Sequence, residues 1–147
     1  MGKSATLNDP EDRFSVSATA ALPKTRTLKQ ENTFAIFDVK GDLYRVGNDE
    51  LGIYHEGTRF LSRLVLSIAG RGEPLLLNSF IRKENDYLKV ELTNPDLGGK
   101  PGSPASPKST LYVSRTKFLL DGGCREEISF LNYGSAVVEM LISVEFD

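Results

Sequence analysis

The chain has 147 residues, enough for one domain with a hydrophobic core. Hydrophobic residues make up 39% and charged residues 26%, the formal net charge is −2, and no basic block is present, so the composition excludes nucleic acid as a main partner. No apolar run approaches the about 18 residues of a transmembrane helix, and the first residues do not resemble a secretory signal.

The chain begins with residues 1–26, which lack periodicity and predict a mobile leader. A β-rich domain is predicted for residues 27–147, where short apolar stretches are separated by Gly, Asn, Asp and Pro. "NTFAIFDVKGDLYRV" predicts two strands joined by a tight turn at Lys40-Gly41-Asp42. "RFLSRLVLSI" predicts a single strand with one apolar face, formed by Phe60, Leu64, Leu66 and Ile68.

Two further strands are predicted in "LLLNSFI" and "YLKVELT". Residues 98–109 are rich in Gly, Pro and Ser and predict a flexible loop. "LYVSRTKFLLDGGCREEISFLNYG" predicts a β-hairpin around Asp121-Gly122-Gly123. The last segment alternates strongly, with apolar residues at every even position from Ala136 to Phe146.

The pattern as a whole predicts an all-β fold, an antiparallel β-sandwich of about eight strands, since no long segment has a helical period. The strong final strand has no closing turn after it, so we expect the sandwich to be incomplete at the C-terminus. Phe60 and Ile142 are assigned to the core. Their replacement by alanine is then expected to cost about 3–5 and 2–5 kcal/mol, respectively.

Five blocks follow one another in an order that resembles a known family: "TLKQENTFAIFDVKGDL", "GIYHEGTRFLSRLVLSIAG", "LTNPDL", "RTKFLLDGGCREEISFLNYG" and "VEMLISVEFD". The chain from about residue 27 to its end resembles the N-terminal domain of bacterial-type glycogen debranching enzymes, the amylo-α-1,6-glucosidase-like family. The resemblance implies a β-sandwich that precedes a helical toroid. In that family the toroid carries the catalytic carboxylic acids, and this chain stops before any such toroid.

The polar residues Tyr54, His55, Glu56 and Arg59 are the strongest candidate site. Glycoside cleavage needs two facing carboxylates, and this block supplies only Glu56. The alternative is a turn that enters a strand, with Gly57 allowing the bend, Arg59 paired with an acid and His55 hydrogen-bonded to the backbone. We therefore predict no catalytic residue here. We expect the four residues to line a domain interface or the rim of a site.

Three other residues could take part in chemistry. Cys124 could be a nucleophile beside a base, but the preceding Asp-Gly-Gly favours a hairpin turn. Asn94 and Asp96 could bind a cation, but Pro95 between them favours a turn and the oxygens are too few for calcium. A single cysteine and a single histidine, His55, cannot complete a zinc site. The sequence predicts no metal and no cofactor.

The leading hypothesis is a non-catalytic accessory β-sandwich that supports a helical glycosidase domain of the same polypeptide. The alternative is a free-standing binding or assembly module that forms a homodimer by strand-edge pairing. Glucan contact is a further possibility, but the chain lacks tryptophan, the usual stacking platform for sugars, and has five tyrosines instead. The single cysteine cannot form an internal disulfide, which favours a reducing, cytoplasmic location.

Overall fold

The structure, a computed structural model, describes residues 25–45, 50–69, 73–95 and 109–147. The described part is all-β, which confirms the predicted fold class. Its ten strands are all paired antiparallel. They are β1 (Thr25–Gln30), β2 (Thr33–Asp38), β3 (Gly52–His55), β4 (Thr58–Leu61), β5 (Leu64–Ala69), β6 (Leu75–Ile81), β7 (Tyr87–Thr93), β8 (Leu111–Leu120), β9 (Gly123–Asn132) and β10 (Leu141–Phe146).

The strands form three sheets. Sheet A has the order β1-β2-β3-β4, sheet C has the order β6-β7-β8-β9, and sheet B pairs β10 with β5. Sheets A and C contact each other through β1, which lies against β7 and β8. A backbone hydrogen bond joins β1 to the β6–β7 turn, from Lys29 N to Asn85 O at 2.7 Å.

The core lies where the inward faces of these sheets meet. The strands that line the core contribute alternate residues to it, because the side chains of a strand alternate between its two faces. β7 and β8 show the pattern most clearly, since the burial of their residues alternates along the strand. The central apolar residues are Leu28, Ala35, Phe37, Leu43, Leu51, Leu66, Ile68, Leu88, Val90, Leu92, Val113 and Leu119.

Two predicted turns are confirmed. Gly41 has φ +81 in the turn after β2, and the Asp121-Gly122 pair, with φ 50 and 76, joins β8 to β9. Positive φ at both central residues fits the right-handed twist of the strands in a two-residue hairpin. The strand predicted after Gly41 is reduced to one bridge, between Leu43 and Leu64.

The single strand predicted for "RFLSRLVLSI" is wrong. β4 ends at Leu61, and β5 begins at Leu64 and pairs with a different neighbour. A register shift beside Ile53 sets Leu61 opposite it. Phe60 is 66% exposed, so its assignment to the core is wrong.

The placement of Ile142 in the core is also wrong, since 38% of this residue is exposed. The strand itself is shorter than predicted and begins at Leu141. Its even-numbered residues do share the side of Leu66 and Ile68, as their pairing shows. Alternation therefore identified the correct side of the strand, but no described element covers the β10 residues on that side.

Strand β1 begins at Thr25, slightly before the predicted start of the domain. The rest of the predicted leader, and the predicted loop except for Ser109, lie outside the described residues. No helix in the described segments is long and apolar enough to cross a membrane.

Candidate functional site

The block that contains the only histidine is a tight β-hairpin. Strands β3 and β4 are joined by Glu56 and Gly57, with φ 47 and 78. Glu56 is exposed on this turn, and its N–H donates to Asn32 O at 3.0 Å in the turn between β1 and β2. The sequence feature that resembled a catalytic cluster is therefore a turn, and Glu56 faces solvent.

His55 faces the inner side of sheet A. Its Nδ1 is 2.8 Å from the hydroxyl oxygen of the buried Thr33, so its partner is a side chain and not the backbone that the sequence predicted. A Cβ added to Gly122 would lie 3.3 Å from the imidazole Cε1, so the ring packs against the β8–β9 turn. His55 thus connects two hairpin turns from different sheets. It also lines an apolar hollow of about 290 Å³ together with Phe60 and Cys124.

Tyr54 and Arg59 lie on the opposite, outer face of sheet A, where they form a cross-strand pair. The Tyr54 ring stacks on Phe34 with centroids 4.6 Å apart and planes 7° apart. A Cβ on Gly52 would approach both Tyr54 and Arg59 within about 3.1 Å, so the two side chains lie over bare backbone. The structure therefore divides the four predicted site residues between two faces and a turn. Among the described residues, Arg59 has no ion-pair partner, unlike the predicted pairing with an acid.

A buried charge cluster that the sequence reading missed lies between the sheets. It consists of Asp42, Arg115, Lys117 and Glu126. Arg115 and Lys117 are 1% and 0% exposed. Arg115 Nη1 donates to Asp42 Oδ1 at 2.6 Å, and its Nε donates to Glu126 Oε1 at 2.8 Å. Lys117 Nζ lies 2.6 Å from Glu126 Oε2.

The cluster contains two carboxylates and two cations, but the pKa values of its members shift in different directions. Burial raises the pKa of the Asp42 carboxyl, although Arg115 opposes the shift. Burial also opposes ionisation of Glu126, but the adjacent Lys117 and Arg115 outweigh it and lower the Glu126 pKa. Burial, together with the charge of Arg115, lowers the pKa of Lys117 to about 8.

The Lys117 ammonium group is the least satisfied member. In the described part of the chain its Nζ meets no acceptor at a hydrogen-bonding angle, so the contact with Glu126 is an ion pair only. The Phe37 ring lies beneath it, with the centroid 4.9 Å from Nζ. A cation over an aromatic face recovers part of the lost hydration.

A signal for this cluster was present in the sequence. Arg115 and Lys117 occupy the same face of β8 as Leu111, Val113 and Leu119. The hairpin register places Lys117 opposite Glu126. Two cations at the inward positions of an apolar strand, opposite a carboxylate, predict a buried ion pair once the register is known.

Two other candidate residues, Cys124 and Asn94, have the surroundings of residues that support the fold. Cys124 is half-buried at the start of β9, and burial raises the pKa of its thiol, which disfavours the nucleophilic thiolate. Asn94 is buried, and its Oδ1 accepts hydrogen bonds from the N–H groups of Thr110 at 3.0 Å and Leu111 at 2.7 Å. Asp96 lies outside the described residues. In the described ranges no three His, Cys, Asp or Glu side chains form a metal-binding group.

An exposed apolar surface lies on β10, and we call it the β10 face. It consists of Ile142, Val144 and Phe146, which are 38%, 44% and 73% exposed. These residues pair with Ile68, Leu66 and Leu64 of β5, which contact the core. The β10 face is thus an extension of the core that the described residues leave uncovered. Contiguous exposed apolar residues of this kind mark interaction surfaces.

Comparison with known proteins gives one match. Residues 28–147 match the family described as the N-terminal domain of (some) glycogen debranching enzymes. The match covers most of the chain, so the chain belongs to this family. Searches of curated proteins and of solved structures each found no match.

Proposed function

We propose that this chain, as a member of the family of N-terminal domains of glycogen debranching enzymes, is a non-catalytic β-sandwich that supports a helical glycosidase domain of the same polypeptide. Its role is in carbohydrate metabolism. The free, half-buried thiol of Cys124 supports a reducing, cytoplasmic location.

The β10 face is the observation that carries the proposal. Strand β10 is held to β5 along its whole length, and the Arg63–Glu145 ion pair at 2.6 Å adds a side-chain contact. Its even-numbered residues nevertheless leave apolar surface in water. Burying one such side chain against a partner contributes about 1.5–3 kcal/mol. In this proposal an amphipathic helix of the helical glycosidase domain covers this apolar strip.

The outer face of sheet A supplies a second proposed contact. Tyr54 is held by its stack on Phe34, and its hydroxyl donates to Glu50 O at 2.9 Å. Arg59 lies beside it. An ordered aromatic ring next to a guanidinium is typical of the residues that dominate protein interfaces. His55 faces inward and Glu56 is exposed on the turn, so in this proposal they flank the contact.

A binding experiment tests the proposal. The helical glycosidase domain of a debranching enzyme from this family is titrated into the chain by calorimetry. We expect saturable binding that Val144→Asp abolishes. Leu131→Asp is the matched control, because Leu131 is 48% exposed but lies on β9 outside the β10 face, and it should bind as the wild type does. Equal loss in both variants, or no binding by the wild type, contradicts the proposal. Self-association of the chain that Val144→Asp abolishes would favour the homodimer instead.

An activity assay tests the non-catalytic part. We expect the purified chain to release no glucose from α-1,6-linked glucans, because Glu56 is exposed on a turn and glycoside cleavage needs a second carboxyl group about 5–10 Å away across the substrate. Turnover that Glu56→Gln removes would overturn this part of the proposal. Turnover that persists in Glu56→Gln would overturn it as well, and would point to other carboxylates.

A further inference from the structure

Strand β9 is an edge strand, and its outer edge is open. It is the last strand in the order β6-β7-β8-β9 and runs for ten residues, Gly123–Asn132, with an uninterrupted register against β8. Strands in globular proteins are usually about five or six residues long, so this edge is long. Among the described residues, no backbone hydrogen bond crosses it. An open edge of this length is a template for another strand.

The backbone groups along this edge are arranged to pair with a strand. Leu120 and Gly123 flank the two-residue turn, and residues in that position of a hairpin form a hydrogen-bonded pair. Such pairs alternate along an antiparallel ladder, so every second residue of β9 directs its N–H and C=O away from β8. These residues are Cys124, Glu126, Ile128 and Phe130. Their backbone groups can bond to water or to an added strand.

β9 lacks the features with which proteins usually block an open edge. It contains no proline and no lysine, and its pairing with β8 has no bulge. An inward-pointing charge can also block an edge, and Glu126 points inward. Its carboxylate, however, is bound by Arg115 at 2.8 Å and by Lys117 at 2.6 Å. The charge of Glu126 is therefore compensated within the chain and does not protect the edge.

The exposed face of β9 carries two opposite charges, Arg125 and Glu127. Within the described ranges neither residue forms an ion pair, and the Arg125 guanidinium lies over the Phe118 ring at 5.9 Å from its centroid. A second β9 that runs antiparallel about a two-fold axis can place Arg125 of each copy opposite Glu127 of the other. A shift by two residues in either direction would set Arg125 opposite Arg125, or Glu127 opposite Glu127. Like charges directly opposite are destabilising, so the charges favour one register.

The inner faces of the two strands also match in this register. The axis passes beside Glu126, and Cys124 of each copy lies opposite Ile128 of the other, so half-buried apolar side chains meet. The apolar hollow of about 290 Å³ lies beside Cys124 and is lined by residues of β4 and β9, the edge strands of sheets A and C. It is therefore on the same side of the sandwich as the open edge. Ile128 and Phe130 of the second copy can cover this hollow, including the exposed ring of Phe60.

We propose that β9 is the interface of a homodimer. Two copies pair antiparallel through this strand, with Arg125 opposite Glu127, and their two four-stranded sheets form one continuous sheet. Addition of a strand to an exposed sheet edge is a recurrent mode of recognition. The β10 face lies on a different strand of a different sheet, so the dimer is compatible with the supporting role of the chain and its test is independent of that role.

Sedimentation equilibrium of charge-reversed variants tests the proposal. We expect a monomer–dimer equilibrium for the wild type. Arg125→Glu and Glu127→Arg each replace two attractive pairs with two repulsive ones, so each should weaken the dimer about tenfold or more. An equimolar mixture of the two variants restores both attractive pairs and should dimerise as the wild type does. Lys83→Glu is the matched control, because this exposed residue of the β6–β7 turn gives the same change of net charge as Arg125→Glu, and it should leave the dimer unchanged.

Amide hydrogen exchange identifies the strand that pairs. As the protein concentration rises, the amides of Glu126 and Ile128 should become protected, because their N–H groups bond to the other copy. Val144→Asp changes the β10 face and should alter neither this protection nor the dimer.

Four outcomes overturn the proposal. The first is a wild type that stays monomeric up to the concentrations used for NMR. The second is equal weakening of the dimer by Arg125→Glu and Lys83→Glu, which would reduce the effect to net charge. The third is a mixture of Arg125→Glu and Glu127→Arg that stays monomeric while the wild type dimerises. The fourth is a dimer that Val144→Asp dissociates, which would place the interface on β10.

Discussion

Replacement of Arg115 tests whether the charge cluster is as buried as the structure shows. Arg115→Met removes two hydrogen bonds from Nη1, at 2.6 and 2.8 Å, and one from Nε at 2.8 Å. Glu126 keeps Lys117, but Asp42 loses its only cationic partner in the cluster. Breaking a buried pair costs about 3–5 kcal/mol. Domains of this size unfold with about 5–15 kcal/mol, so the variant should be only marginally stable.

Lys117→Met is the comparison, because it removes a cation without isolating an anion. Glu126 remains bonded to Arg115, and a methionine thioether packs well on the Phe37 ring. The substitution removes both the desolvation penalty of the ammonium and its ion pair with Glu126, and these two contributions largely cancel. We therefore expect the free energy of unfolding to change by about 1 kcal/mol or less. We therefore predict that the Arg115→Met variant has a much lower free energy of unfolding than the Lys117→Met variant.

Urea unfolding monitored by far-UV circular dichroism measures both variants, since the chain lacks tryptophan. If Arg115→Met does not fold, Arg115→Lys keeps the charge, loses the forked geometry, and should lose about 1–3 kcal/mol. Equal stabilities for Arg115→Met and Lys117→Met, or an Arg115→Lys variant as stable as wild type, would refute the reasoning.

Three further outcomes follow from the described structure. Phe60 is 66% exposed, so Phe60→Ala should change the free energy of unfolding by less than about 1 kcal/mol. Leu66 is 6% exposed, so Leu66→Ala should cost about 2–5 kcal/mol. Equal losses of stability in thermal melts of the two variants would contradict this. Gly57 and Gly122 have φ of +78 and +76, so replacing either with alanine should cost about 1–2 kcal/mol of stability. Only the alanine at Gly122 would also meet the His55 imidazole, so we expect a larger loss there, and equal losses would contradict that contact. The Lys117 pKa of about 8 lies below its value in the unfolded chain, so between pH 8 and about 10 the unfolded state binds more protons than the native state. The free energy of unfolding of the wild type, relative to that of Lys117→Met, should therefore rise from pH 8 towards 10. A difference between the two proteins that does not change with pH would contradict the burial of Lys117.

Sequence patterns correctly predicted the elements whose geometry depends on residues that are adjacent in the chain. The Asp121-Gly122 turn, the Gly41 turn and the alternation along β7 and β8 all follow from short-range conformational preferences. The all-β class follows from the same alternation. Residues of this kind can be assigned from a single sequence because the chain neighbours alone decide their conformation.

The failures involve contacts that no short pattern determines. Alternation assigns Phe60 to the apolar face of one long strand, but the chain divides there into β4 and β5, which pair with different neighbours, and Phe60 is 66% exposed. Ile142 was assigned to the correct side of its strand, but burial requires a covering layer, which alternation cannot detect. The four polar residues of the hairpin were read as one group, although adjacent positions of a strand point to opposite faces.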